Sequence, residues 1–294
     1  MRLAIETHDL CKRFGESQAV KDLSLAVLPN RITAFLGMNG AGKSTTIRML
    51  LGMIRPSNGG GQVLGHNIAD PAQSIEIRRN TAYVSEDKRL YNYMTVEQVI
   101  RFTSGFFPQW RADLAATLLR RYELPPARRV SRLSKGMRTK LALLLAIARR
   151  PKLLILDEPS EGLDPHSVED LLETLVSESA EGTTVFFSSH QIEEVERISD
   201  QVCVLHRGSL VMDTSVDELR ESWRQVDIVL PVSPHPGDFE LTGVKRIRAR
   251  GQQLSVVVNG NVEGVVDRAR ESHAKAIEVT PLCLREIFLQ TTKE

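Results

Sequence analysis

The segment Gly37–Ser44 (Gly-Met-Asn-Gly-Ala-Gly-Lys-Ser) constrains this chain more than any other feature. It fits the pattern G-x-x-x-x-G-K-[ST], in which backbone N–H groups at the start of a helix surround a triphosphate. The flanks agree, because Arg31–Leu36 predicts a buried strand and Ser44–Leu51 predicts a helix. Lys43 would supply positive charge to the β- and γ-phosphates, and the Ser44 hydroxyl can bind Mg²⁺. The segment therefore predicts a nucleotide-binding strand–loop–helix unit.

A second motif is the short apolar run Leu153–Leu156, which is followed by Asp157 and Glu158. Such a run predicts a buried parallel strand that delivers two carboxylates to its carboxyl end, where open α/β sheets bind ligands. Asp157 can hold Mg²⁺ directly or through water, and Glu158 can act as general base on an attacking water. Taken alone, the two acids could instead begin a solvated loop.

Composition limits the class of protein. The 294 residues carry a net charge of +1, which gives no indication of a nucleic-acid surface. The longest apolar run, Leu141–Ala148, is far shorter than the roughly 20 residues of a membrane-spanning helix. The N-terminus shows no secretion signal, so we expect a cytoplasmic location. The three cysteines are widely spaced, which suggests neither a disulfide framework nor a zinc site.

The order of elements predicts an α/β fold with a mostly parallel central sheet, because short apolar strands alternate with helical patterns. Early strands are expected at Leu3–Leu10 and Ser24–Val27. Gly59–Gly61 is expected to form a tight turn. Strand patterns then stop, which predicts a helical insertion at about residues 87–140 within a domain of residues 1–223.

The last part of the chain, residues 224–294, predicts a small separate α/β appendage. It opens on a cluster of breakers, Pro231, Pro234, Pro236 and Gly237. Its predicted strands and helices are, in order, strands 246–250 and 254–258, helix 262–271, strand 276–280 and a final helix from residue 284. No residue constellation there chooses between dimer stabilisation, regulation and ligand sensing, and plain packing is the default expectation.

A third motif, Leu133-Ser134-Lys135-Gly136-Met137, stands just before the acidic strand. Here the sequence resembles the ABC (ATP-binding cassette) ATPases, whose signature is usually LSGGQ. The resemblance covers the first 220 residues and rests on the order of all the motifs. These also include an aromatic at Phe14, a D-loop at residues 160–164 and a switch histidine at His190 after the strand Val185–Ser189.

The resemblance implies a P-loop ABC ATPase core that binds ATP with Mg²⁺ and closes as a head-to-tail dimer with a second copy or a related cassette. The signature helix of one copy would face the γ-phosphate held by the other, where a helix N-terminus favours negative charge. The implied catalytic residues are Glu158, His190 and Lys43. Nucleotide binding would involve Phe14, Gly37, Asn39, Gly40, Ala41, Gly42, Lys43, Ser44, Thr45, Ser134, Gly136 and Asp164, and Mg²⁺ would involve Ser44, Asp157 and Glu86.

Three departures from the family pattern stand out. Glu86 replaces a frequent glutamine after the strand Tyr83–Ser85, which removes an amide donor but leaves a possible Mg²⁺ ligand. Lys135 and Met137 replace glycine and glutamine in the signature, and Lys135 could approach the γ-phosphate or point into solvent. Glu161 replaces a small residue in the D-loop. None of these changes removes a group that hydrolysis requires.

One branch of the family resembles this chain most. Lys135–Met137, Phe106–Trp110 and Leu284–Leu289 look like segments of bacterial ATPases that serve exporters with a separately encoded permease. The expected function is therefore an ATPase subunit peripheral to the cytoplasmic face of the membrane. Candidate permease contacts are Tyr91, Tyr93 and Met94, which could equally pack inside the insertion.

Two other functions fit the sequence less well. A soluble ABC ATPase that acts on ribosomes or DNA commonly has two cassettes, a coiled-coil insertion or zinc modules, and none of these is seen in this sequence. No nucleic-acid partner is expected here. A regulatory module that does not hydrolyse ATP is disfavoured by the intact Lys43, Asp157, Glu158 and His190. The sequence does not indicate which substrate is transported.

Overall fold

A computed structural model describes residues 2–233 and 235–292. The chain divides into two compact units between Asp213 and Thr214. The sequence-based limits of the two domains, with their boundary after residue 223, stay a prediction. In the described part of the chain, no helix is both long enough and apolar enough to cross a bilayer.

The first unit is built around a six-stranded sheet whose inner part is parallel, as the sequence predicted. The three central strands are buried along their whole length, as expected when both faces of a parallel sheet are covered. Parallel pairing joins each neighbouring pair of strands from Gln201–His206 to Thr81–Val84. The order across the sheet is β11 (Ser209–Ser215), β10 (Gln201–His206), β4 (Ile32–Leu36), β9 (Thr184–Ser189), β8 (Leu153–Asp157) and β7 (Thr81–Val84).

A second, antiparallel sheet in the same unit contains the main errors of the sequence-based prediction. The predicted turn at Gly59–Gly61 is wrong, because these glycines lie in a strand that pairs with the first strand of the chain. Gly59 has φ +68°, and a Cβ there would collide with the main-chain oxygen of Asp9. The strand Ser17–Leu23 was not predicted. The members are β1 (Ile5–Phe14), β2 (Ser17–Leu23), β3 (Ala26–Val27), β5 (Asn58–Val63) and β6 (His66–Asn67).

Helices cover the remaining parts of the first unit. Between β7 and β8 the structure has helices and no strand, which confirms the helical character of the predicted insertion. The helix of the signature motif begins directly after Ser134 and ends before Arg149, Arg150 and Pro151, which are residue types typical of helix ends. The helices are α1 (Lys43–Leu50), α2 (Pro71–Asn80), α3 (Val96–Ser104), α4 (Ala112–Arg121), α5 (Lys135–Ile147), α6 (Pro165–Ala180) and α7 (Ile192–Ile198).

The second unit is a four-stranded antiparallel sheet whose apolar face packs on a helix. Val226, Val256 and Val265 belong to its buried core. The predicted appendage strands and helices are present, but β12 was missed, and Pro234 of the predicted breaker cluster lies outside the described residues. The elements are α8 (Val216–Ser222), β12 (Trp223–Val229), β13 (Val244–Arg250), β14 (Gln253–Asn259), α9 (Val262–Glu271), β15 (Ala276–Pro281) and α10 (Leu284–Thr291), with the sheet order β13-β14-β12-β15.

Candidate functional site

The phosphate-binding loop connects β4 to α1 at the carboxyl edge of the parallel sheet. Gly42 precedes the helix with φ +110°, a conformation that a side chain would strain. The loop borders a cleft of about 530 Å³. Its lining residues come from the loop and from the ends of neighbouring strands: Ala19, Met38, Asn39, Gly40, Ala41, Gly42, Lys43, Ser44, Thr45, Glu86, Glu158, Glu161 and His190.

Three predicted catalytic side chains meet in this cleft. The Lys43 Nζ lies 3.0 Å from Glu158 Oε1, and both side chains are more than nine-tenths buried. His190 Nδ1 lies 2.8 Å from Glu158 Oε2. Lys43 also donates a hydrogen bond to the Gly37 carbonyl oxygen at 2.6 Å. Glu158 is thus held on both oxygens, in an environment from which most water is excluded.

A serine that the sequence analysis missed fixes the acidic pair. The Ser188 hydroxyl donates to Asp157 Oδ1 at 2.6 Å and accepts from the Glu158 N–H at 3.1 Å. All three atoms belong to neighbouring strand ends, because β8 pairs with β9 in parallel register. Ser188 therefore connects the Asp157 carboxylate to the main chain of Glu158. No sequence pattern singled it out, since its role depends on which strand lies beside β8.

The predicted magnesium donors are oxygen groups around the same cleft. Ser44 and Glu86 line the cleft, whereas Asp157 is buried behind it with 1% exposure. Hydroxyl and carboxylate oxygens suit Mg²⁺, which usually completes its shell with phosphate oxygens and water. Among the described residues no group of three His, Cys, Asp or Glu side chains could hold a metal alone. The donors present fit a metal that arrives with a nucleotide.

Phe14 stands apart from the lining of the cleft. Its ring is about half exposed, and the Lys12 ammonium lies 5.1 Å from the ring centroid. An exposed aromatic ring can stack on a base through one of its faces. Its assignment to the adenine stays a prediction.

Ser134, Gly136 and Asp164 also lie outside the cleft of their own chain. Ser134 Oγ caps α5 by accepting from the Met137 N–H at 3.2 Å. Asp164 caps α6 by accepting from the Ser167 N–H at 3.1 Å, and the Ser167 hydrogen bonds lower the pKa of Asp164. Ser134 and Asp164 therefore each cap the start of a helix, and a role for these three residues in nucleotide binding stays a prediction.

Two of the departures contact each other. The Lys135 Nζ forms an ion pair with Glu161 Oε1 at 3.1 Å. The Lys135 side chain is about half exposed and turns toward the loop that follows β8, and its approach to a γ-phosphate stays a prediction. Glu161 in turn lines the phosphate cleft.

Lys88 is a further residue that the sequence did not indicate. It is only 4% exposed, and its ammonium group donates to the main-chain oxygen of Glu158 at 3.1 Å. Burial lowers the pKa of Lys88. Both Lys88 (φ +44°) and Glu158 (φ +47°) have left-handed backbones, which cost energy for residues with a side chain. Its place in the polar run Ser85–Arg89 gives no sequence signal of this burial.

Comparisons with known proteins identify the family of this chain. The profile of the family described as ABC transporter matches residues 20–161. The Nod factor export ATP-binding protein I of Rhizobium etli is 33% identical, covering 98% of this chain and 93% of its own. The bacitracin transport ATP-binding protein BcrA of Bacillus licheniformis is 33% identical, covering 76% of this chain and 74% of its own.

A solved structure from the same family has a similar fold. The structure of an ATP-binding subunit of an ABC transporter is 31% identical to this chain and aligns with a TM-score of 0.68. The alignment covers 74% of this chain and 92% of that one. With the phosphate loop, the acidic strand and the histidine gathered in one cleft, this chain belongs to the ABC transporter ATP-binding proteins and is an ATP-hydrolysing subunit of such a transporter.

Proposed function

We propose that this chain is the peripheral ATPase subunit of a bacterial exporter, bound to a separate permease at the cytoplasmic face of the membrane. The observation that carries the proposal is an exposed aromatic patch, formed by Tyr91, Tyr93, Phe102 and Phe106, next in sequence to a cleft-lining segment. The relative named for Nod factor export supports the direction of transport. Within the proposal, residues 1–223 form the ATPase domain and residues 224–294 an appendage.

The aromatic patch has the form of a contact surface. Its rings lie edge to face, with centroids 6.0 Å apart for Tyr91 and Tyr93, 5.2 Å for Tyr91 and Phe102, and 5.0 Å for Phe102 and Phe106. Between 40% and 71% of each residue is exposed. Contiguous exposed aromatic surface is typical of protein-binding sites. The half-buried Met94 donates a main-chain hydrogen bond to the Tyr91 carbonyl oxygen, and contact of this segment with a permease is part of the proposal.

Two copies are needed to complete the nucleotide site in this proposal. The signature residues Ser134 and Gly136 and the D-loop residue Asp164 do not line their own cleft. The helix beginning at Lys135 offers N–H groups and a favourable dipole to an anion on another molecule. A head-to-tail dimer, with an identical copy or a related cassette, would place this helix end against the partner's γ-phosphate.

Magnesium is part of the same proposal. Ser44, Glu86 and, through water, Asp157 are the residues that would hold Mg²⁺ beside the phosphates. The ion would neutralise charge that develops on the phosphates during transfer to water. Glu158 would take the proton of that water, while His190 holds the Glu158 carboxylate in place.

Lys88 is our candidate for the connection between the aromatic patch and the reaction. It lies three residues before Tyr91 in sequence and contacts the peptide of Glu158. We expect Lys88→Met to lower kcat about tenfold while leaving the KM for ATP nearly unchanged, since a misplaced base slows chemistry more than binding. Steady-state ATPase kinetics measure both constants. Arg89→Met, at an exposed neighbouring position, is the control, and Lys88→Arg should restore part of the rate. An unchanged kcat would remove Lys88 from this role.

The transporter assignment is tested by capture from the native cells. The Glu158→Gln protein, trapped with ATP in gentle detergent, should recover a multi-span membrane protein in near-stoichiometric amount, identified by mass spectrometry. Replacing the two most exposed rings, Tyr93→Ser with Phe106→Ser, should reduce that recovery at least about tenfold, because exposed aromatic anchors dominate interface affinity. The matched control is Val232→Ser, at an equally exposed apolar residue. Recovery of ribosomes or DNA-associated proteins instead would favour the soluble alternative.

A further inference from the structure

The ion pair between Lys135 and Glu161 joins two motifs of one chain. Lys135 is the first residue of α5, and Glu161 lies in the loop after β8. The lysine is fixed by packing as well as by charge, because a Cβ on Gly162 would lie 2.7 Å from Lys135 Cδ. The side chain thus crosses the Gly162 backbone to reach its partner. The Lys135 and Glu161 side chains are 55% and 39% exposed, so their ion pair adds little to the stability of the fold. We therefore look for its role in function.

The charges that line the cleft indicate a role for this ion pair. Three carboxylates line the cleft, those of Glu86, Glu158 and Glu161. Among the described lining residues, Lys43 supplies the one lysine or arginine charge, and it is already engaged with Glu158. A triphosphate entering this cleft therefore meets an excess of negative charge. The Lys135 ammonium, held 3.1 Å from Glu161, is placed to cancel one of the three.

We propose that Lys135 is a determinant of nucleotide affinity in its own chain, acting by neutralising Glu161. The family resemblance assigns the signature to the partner's nucleotide, whereas this contact ties it to the cleft of the same copy. The two departures from the family pattern are then one coupled feature, since a small residue at position 161 would need no lysine at position 135. The repulsion grows with the charge of the ligand, so a triphosphate depends on the pair more than a diphosphate does.

The test is a double-mutant cycle on the isolated monomeric subunit, with binding of Mg-AMP-PNP measured by calorimetry and the monomer checked by sedimentation. Lys135→Met should weaken binding about three- to tenfold, the size expected of one partly screened charge. Glu161→Gln should bind as tightly as the native protein or more tightly. The combined variant should match Glu161→Gln alone, because the lysine then has no charge to cancel. Lys152→Met, an exposed lysine beside β8, is the charge control.

Two further measurements test the same proposal. The loss in Lys135→Met should be smaller for Mg-ADP and should shrink in 0.5 M salt, which screens exposed charges. An unchanged affinity of the Lys135→Met monomer for Mg-AMP-PNP would overturn the proposal. Lys135 would then be expected to act in the nucleotide site of the partner copy. A loss that Glu161→Gln fails to rescue would also overturn it. The inference needs ATP binding but no permease, so a failed transporter assignment leaves the cycle readable.

Discussion

Glu158→Gln is expected to bind MgATP and to hydrolyse it at least about 100 times more slowly than the native protein, within the range for loss of a general base. The amide keeps the shape of the side chain but cannot accept the proton of the attacking water. Glu158 is 6% exposed and contacts Lys43 and His190 at 3.0 and 2.8 Å, so it is held in one position by a cation and a ring. The effect should therefore appear in kcat rather than in binding.

Single-turnover phosphate release measures this directly, and gel filtration with ATP tests whether the variant accumulates as a dimer. Glu16→Gln makes the same chemical change at an exposed loop position and should turn over normally. Near-native phosphate release by Glu158→Gln would remove Glu158 as the base. In that case His190, on the same cleft wall, becomes the next residue to replace.

The local parts of this fold could be predicted from sequence because each is specified by neighbouring residues. The phosphate loop, the acidic strand and the α5 helix combine a hydrophobic period with a cap or a stop within a few residues. The errors fall where partners are distant in the chain. Gly59–Gly61 have strand conformation because they pair with β1, and no local pattern indicates that pairing. The missed strands β2 and β12 are likewise defined by their antiparallel neighbours.

The site divides in the same way. Lys43, Glu158 and His190 were found from motifs, and the structure brings them into one cleft. Ser188 and Lys88 could not be found, because a serine at a strand end and a lysine in a polar run are ordinary until the fold brings them to the Glu158 peptide. The sequence also treated Lys135 and Glu161 as separate departures, although they form one ion pair.

Replacing Lys43 should affect both ATP binding and the stability of the protein without nucleotide. Lys43→Ala is expected to weaken ATP binding about 100-fold, since a hydrogen bond to a charged group contributes roughly 1.5–3 kcal/mol. The contact with Glu158 adds to this loss. Without the ammonium, a carboxylate that is more than nine-tenths buried would face the incoming phosphates with only His190 beside it. Calorimetric titration with Mg-AMP-PNP measures the affinity, and Lys245→Ala, an exposed lysine in the second unit, is the control.

The same contact predicts that the two major variants are not additive. Removing one partner of a buried ion pair destabilises a protein by about 3–5 kcal/mol, because the other charge is left uncompensated. Lys43→Ala should therefore lower the melting temperature of the nucleotide-free protein, and adding Glu158→Gln should restore most of it. If ATP affinity is also partly restored in the double variant, repulsion by Glu158 accounts for that share of the loss. Unchanged ATP affinity in Lys43→Ala would contradict the assignment of the phosphate loop itself.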